Sequence, residues 1–299
     1  MNKHPPRIRL RKPNGVPIAC DALSITFYMR HPHHELAPAL VRSFERYRHA
    51  MGGHVLGQYL EETGNWVELD DSGWERLHRE TLDAPFANYD LREMTGEESL
   101  YRLDYRGPLF VAPSEEPNRV CAVSFWLPSE YLEEHGPGQV RELALELAAP
   151  LPFCSGHAGF AFNTEHDLLY AEPELRKLCF LHPGMDAPRL STLAIELGTK
   201  VRSASWLTFL GQPVLGELGG ASGLRSRLHS PDVTVQELEG ERVVVTLGPW
   251  PEAGEDGRMP PAYRELARLL EPWLFHEKYL LDSTLTPEEL RRWERRLLD

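Results

Sequence analysis

The sequence predicts an α+β protein: a mainly antiparallel or mixed sheet with helices packed on it. Three observations carry this. Segments rich in β-branched and aromatic residues lie between amphipathic stretches, so strands and helices share the chain. Several strands are joined by turns, most clearly in VTVQELEGERVVVTLG (233–248), where two β-rich arms flank Glu239 and Gly240. The steady strand–helix–strand alternation of a doubly wound sheet is missing.

The elements follow in order. LSITFYMR (23–30) reads as a strand, and Pro32 breaks it. From Glu35 the spacing is helical, with Leu36, Leu40, Val41, Phe44 and Tyr47 on one face, until Gly52 and Gly53 end the run. NWVELDDSGWERLHRETLD is a short extended piece and then a helix, with Asp71 or Ser72 as its cap. FANYDLRE and LYRLDYRGPLF alternate as two strands, joined by a hairpin turn at Thr95, Gly96, Glu97 and Glu98. After a connection at PSEEPN (113–118), the segment from Arg119 repeats the theme of apolar strand, break and amphipathic helix. FCSGHAGFAFN (153–163) is a glycine-spaced strand expected to pair with 119–127. RLSTLAIELGTK reads as a helix ending at Gly198, ASWLTFLG (204–211) as a strand, and QPVLGELGGASGLRSRL as a helix interrupted by glycines. PPAYRELARLLEPWLFHEKY enters a helix through proline, and TPEELRRWERRLLD closes the chain as a capped, charged helix. This gives a basic N-terminal arm at 1–18, an α+β domain at 19–282 and a C-terminal helix at 283–299. The repeated order of elements suggests two structurally similar halves, 19–112 and 119–282, alike in order but not in residue identity.

Composition narrows function. The chain has 299 residues, 41% hydrophobic and 26% charged, enough for a large core without disulfides. Its net charge of -13 disfavours direct nucleic-acid binding. Cys20, Cys121, Cys154 and Cys179 show no CxxC spacing and read as buried free thiols of a reducing compartment. The basic N-terminus has no apolar h-region, and no apolar run is long enough to span a bilayer, so a cytoplasmic location is expected. No cofactor, metal or membrane partner is expected.

Three stretches invite a catalytic reading. MRHPHHELAP (29–38) holds His31, His33 and His34 before Glu35. A zinc site needs three or four converging ligands, and this spacing matches no metal signature. Glu35 also suits a helix N-terminus, so the stretch reads as a strand-to-helix junction. A metal-dependent hydrolase built on His31, His33, His34 and Glu35 is the enzyme alternative. Cys154, Ser155 and His157 resemble a nucleophile with its base, but Cys154 points away from the other two along a strand. A packed strand with glycines for close backbone approach is the simpler account. LGGASG (218–223) lacks the Lys-Ser/Thr of a phosphate loop and reads as a helix break. Trp126 and Trp206 belong to the core. Trp66 and Trp250 sit near turns beside acids, in the setting of interaction surfaces.

One pattern carries a resemblance. Trp206, Leu207, Phe209, Leu210 and Gly211, followed by Leu218, Gly219 and Gly220, resemble a signature of the bacterial type VI secretion immunity family, formerly a domain of unknown function. VSFWLP, GHAGFAFN and VVVTLGPWPEAGE extend the resemblance over roughly residues 20–280. It implies a cytoplasmic antidote, made beside a toxic effector and binding it. Many such effectors are nuclease-like. The family offers no catalytic residues to transfer, and the apolar, glycine-rich signature reads as core structure. Acidity agrees, because nuclease clefts are positive and complementary charge speeds encounter. The expected effector-binding residues are Trp66, Asp70, Asp71, Trp250, Glu252, Glu255 and Asp256. A structural scaffold of the secretion machinery is a further alternative.

Overall fold

A computed structural model describes residues 5–61, 63–94, 100–110, 113–164, 173–277 and 286–299. The turn expected at Thr95–Glu98 lies outside the described residues. In chain order the first elements are β1 (Arg9–Arg11), β2 (Pro17–Met29), α1 (His33–Met51), β3 (Leu56–Leu60), β4 (Trp66–Glu68), α2 (Asp71–Asp83), β5 (Ala87–Glu93) and β6 (Arg102–Gly107). Next come β7 (Cys121–Pro128), α3 (Ser129–Ala148), β8 (Ser155–Thr164), α4 (Pro173–Leu181), α5 (Leu190–Glu196) and β9 (Leu207–Leu210). The last are α6 (Val214–Glu217), α7 (Gly220–Arg225), β10 (Val233–Leu238), β11 (Arg242–Leu247), α8 (Pro261–Leu270) and α9 (Pro287–Glu294). The α+β class expected from the sequence is the class observed.

The chain divides into two compact units. The first holds Met1–Ser24, His157–Pro188 and Lys200–Asp299; the second holds Ile25–Gly156 and Arg189–Thr199. In the first unit the strands run in the order β10-β11-β9-β8-β2, with β1 antiparallel on β2. The hairpin read at 233–248 is present, with Val235 opposite Val245. Helix α8 buries Tyr263, Leu266, Ala267 and Leu270, a three- and four-residue repeat that puts one apolar stripe inward. Thr286 and Glu289 cap α9 reciprocally, Thr286 Oγ1 accepting from Glu289 N at 3.2 Å and Glu289 Oε2 from Thr286 N at 2.9 Å.

In the second unit the order is β2-β7-β6-β5-β3-β4. Alternation along these strands sends Tyr89, Leu91, Leu103, Tyr105, Val123 and Phe125 to one face. Helix α1 covers that face with the stripe the sequence showed. The Phe44 ring meets Tyr89, Tyr105 and Phe125 edge-on at 6.1–6.5 Å. Tyr47 Oη donates to Trp126 O at 2.5 Å, and Ser43 Oγ donates to Leu147 O at 3.0 Å, which ties α1 to α3.

Three details differ from the sequence expectation. Strand β8 lies between β9 and β2, not against 119–127. Strands β7 and β8 are both buried along nearly their whole length, and an apolar run records burial without naming a partner. Helix α1 starts at His33, behind Pro32. Helix α2 is capped by Asp70, one residue ahead of the expected Asp71 or Ser72; Asp70 Oδ1 accepts from Gly73 N at 2.7 Å. All three residue types cap helices, and the extended backbone of Asp70 decides among them.

Phe44 is fully buried among three rings. Replacing Phe44 by alanine is expected to cost about 3–5 kcal/mol of stability, read as a lower urea midpoint at an unchanged slope.

Candidate functional site

The histidine cluster does not converge. His33 is buried, with Nδ1 2.8 Å from Tyr105 Oη and Nε2 2.9 Å from Thr81 O. A carbonyl only accepts, so Nε2 carries the proton and the tyrosine hydroxyl donates to Nδ1. Both ring nitrogens are thereby engaged. Burial lowers the His33 pKa, more than the Thr81 bond raises it, and keeps the ring neutral. His31 turns outward and pairs with Glu35 at 3.1 Å, and His34 is exposed. Among the described residues, no three His, Cys, Asp or Glu side chains are grouped to hold a metal ion. The stretch is a strand-to-helix junction.

Cys154 and His157 part company as the strand period requires. The Cys154 thiol donates to Tyr28 O at 3.2 Å, and burial pushes its pKa up to about 11, the wrong direction for a nucleophile. Gly156 permits the close approach read from the sequence: a Cβ there would sit 2.7 Å from Thr26 O. His157 faces Asp186 at 3.3 Å, in a buried ion cluster of the first unit that the sequence did not disclose. Asp186 Oδ1 accepts from Arg202 at 3.2 Å and from Arg296 at 3.4 Å, and Arg202 also faces Glu294 at 3.5 Å. The Asp186 backbone exchanges bonds with Phe160 and Phe162, both at 2.9 Å. The loop, strand β8 and the turn that follows α9 are thus joined through one carboxylate. Burial opposes its charge, but Arg202, His157 and Arg296 outweigh burial and hold the carboxyl well below the usual range.

A second polar ladder crosses the other face of the second unit's sheet. Arg106 binds Asp90 through both carboxylate oxygens, at 2.8 and 3.0 Å, and reaches Ser191 of α5 at 3.1 Å. Arg102 pairs with Asp104 at 2.9 Å, and Asp104 also accepts from Trp126 Nε1 at 3.0 Å. The charged alternation in NYDLRE and YRLDYRG is the sequence signal for it.

The surface residues named from sequence fall into two groups. Trp66, Asp70 and Asp71 lie in the second unit. Trp66 is half-buried, with the Arg92 guanidinium 4.7 Å over its ring. Asp70 is the α2 cap, its carboxyl lowered by the bonds from Gly73 and Ser72, and Asp71 pairs with Arg48 at 2.6 Å. Trp250, Glu252, Glu255 and Asp256 lie in the first unit, between β11 and α8. Glu252 N donates to Tyr263 Oη at 3.1 Å. Glu255 and Arg258 exchange backbone bonds at 3.0 and 2.9 Å, and Asp256 holds a left-handed backbone at φ 49. The exposed Glu255 and Asp256 therefore sit on a fixed turn.

The apolar part of the signature is buried, whereas Gly219 is exposed. Leu207, Phe209 and Leu210 are buried in β9, and Trp206 Nε1 donates to Gly248 O at 3.1 Å. Gly211 follows β9. Gly219 and Gly220 take φ values of 82 and 70, which break α6 from α7.

In this α+β fold the histidine stretch is a strand-to-helix junction, and Glu255 and Asp256 stand exposed on a fixed turn. The chain belongs to the TsiV family, type VI immunity for VRR-NUC, whose model matches residues 39–297. It is a type VI immunity protein. Among solved structures it is similar to the Pseudomonas aeruginosa T6SS protein PA0821, with a TM-score of 0.80 at 21% identity over 98% of this chain and 88% of that one. That likeness shows a shared fold. No curated protein matches the sequence. No helix among the described residues is long and apolar enough to cross a membrane.

Replacing Asp186 by asparagine removes the buried negative charge that Arg202, Arg296 and His157 face, at an expected cost of about 3–5 kcal/mol. The depressed pKa sets the sign with pH. The contribution is complete above the unfolded-state value of about 4 and is lost as pH falls through the lower folded value. Stability curves of parent and variant should run parallel near neutrality and converge in acid.

Proposed function

We propose that this chain neutralises a VRR-NUC nuclease effector by binding it one-to-one and covering its nucleic-acid cleft, transforming no substrate itself. Family membership over residues 39–297 carries this reading. The net charge of -13 supports it, since a cleft that holds phosphates is positive and attracts an acidic protein. The cytoplasm is the proposed site of action, where four buried free thiols are at home. Trp66, Asp70 and Asp71 of the second unit, and separately Trp250, Glu252, Glu255 and Asp256 of the first, are proposed as effector contacts.

Co-expression tests the pairing. Cells making the VRR-NUC effector should survive with this chain and die without it. Equal killing in both cultures would reject the reading. Reversing Glu252, Glu255 and Asp256 to lysine is expected to slow association roughly 10-fold at low salt and to flatten its salt dependence. Stopped-flow measurement at two ionic strengths reads both effects, and unchanged rates would remove this turn from the contact.

A further inference from the structure

Among the described residues, four of the seven large apolar side chains left exposed fall at one end of the second unit's sheet: Leu82, Phe86, Leu109 and Ile195, each 46–58% exposed. The strand register brings them there. Ala87 lies opposite Gly107, so Phe86 and Leu109 leave adjacent strands at the same edge. Arg119 donates to Leu109 O at 2.5 Å, and Val120 N donates to Ala194 O at 2.9 Å, which places Ile195 alongside. Leu82 stands in the last turn of α2, which Thr81 Oγ1 pins to Tyr89 Oη of β5 at 3.0 Å. Single exposed apolar residues are ordinary; four that share an edge mark an interaction site.

Exposed acids lie close by in the chain: Glu80 and Asp83 flank Leu82, with Glu80 facing Arg76 at 3.9 Å, Glu196 follows Ile195, and Glu115 precedes Arg119. Of the nearby bases, Arg119 is taken up by Glu116 at 2.8 Å, and Arg79 stands one turn before Leu82. We propose that this end of the second unit is the anchoring surface for the nuclease effector. Its apolar side chains fill shallow pockets beside the effector's positive cleft, and the surrounding acids meet the cleft's lysines and arginines. A second copy of this chain is the poorer occupant, because a self-complementary contact would set one acidic rim against another. The inference rests on the immunity reading and adds the anchor that charge alone does not supply.

The test uses the purified full chain and the VRR-NUC effector. One variant carries Phe86→Ser, Leu109→Ser and Ile195→Ser, which removes apolar contact at constant charge. A second carries Asp83→Lys, Glu115→Lys and Glu196→Lys. The serine variant should weaken Kd by at least about 30-fold through faster dissociation, with an unchanged circular dichroism spectrum. The lysine variant should mainly slow association at low salt. If the triple serine variant misfolds, Leu109→Ser and Ile195→Ser are read singly, each weakening Kd by about 5-fold or more. Serine variants that bind within about threefold of the parent overturn the proposal while immunity stands. So does a dimer of the free chain that the serine changes dissolve without altering effector affinity. A parent chain that neither binds nor inhibits the nuclease overturns the immunity reading, and this inference with it.

Discussion

The carboxylate of Asp186 is the charge on which the first unit is organised. Two arginines and a histidine from distant parts of the chain meet it where water does not reach. Such a cluster adds little net stability over a well-packed apolar one, because each ion gives up its hydration. Its value is geometric. A buried arginine that loses its carboxylate is heavily penalised, so the turn after α9, which carries Arg296, has one strongly favoured seat. The backbone bonds from Asp186 to Phe160 and Phe162 fix the loop at the same point.

The second unit is held by different means. One face of its sheet is a layer of rings under α1, and the other is a ladder of arginines and aspartates. Within the ladder, neighbouring carboxylates respond in opposite directions. Burial raises Asp104, which outlasts the pull of Arg102, whereas Asp90 is held low by Arg106 despite its own burial. The charges lock strand register, and the ring face supplies the apolar burial.

Much of this architecture was legible because local patterns and tertiary packing agree. The spacing from Leu36 to Tyr47 located α1 and its buried face, TPEELRRWERRLLD read as a capped terminal helix, and the arms about Gly240 gave a hairpin. Strand partners were not legible: β8 pairs with β2 across more than a hundred residues, and nothing in its own composition encodes that choice. Asp186 was hidden for the same reason. It stands in a loop, and the arginines that give it meaning lie 16 and 110 positions away. Of the surface residues, sequence could mark acids beside aromatics. It could not show that Asp70 spends its carboxylate on a helix end, or that Leu82, Phe86, Leu109 and Ile195 share an edge. The family signature, by contrast, identified the chain through residues that are almost all interior.

The turn at Glu255–Arg258 places a limit on how this protein can diversify. Asp256 occupies a backbone region that glycine and asparagine also adopt, and that branched or bulky side chains resist. Lineages that keep the loop's shape therefore have a short menu at its tip: a negative charge, a neutral amide of the same size, or a bare hydrogen. Drift at that position would change the charge at the loop's tip in discrete steps while its contour stays constant.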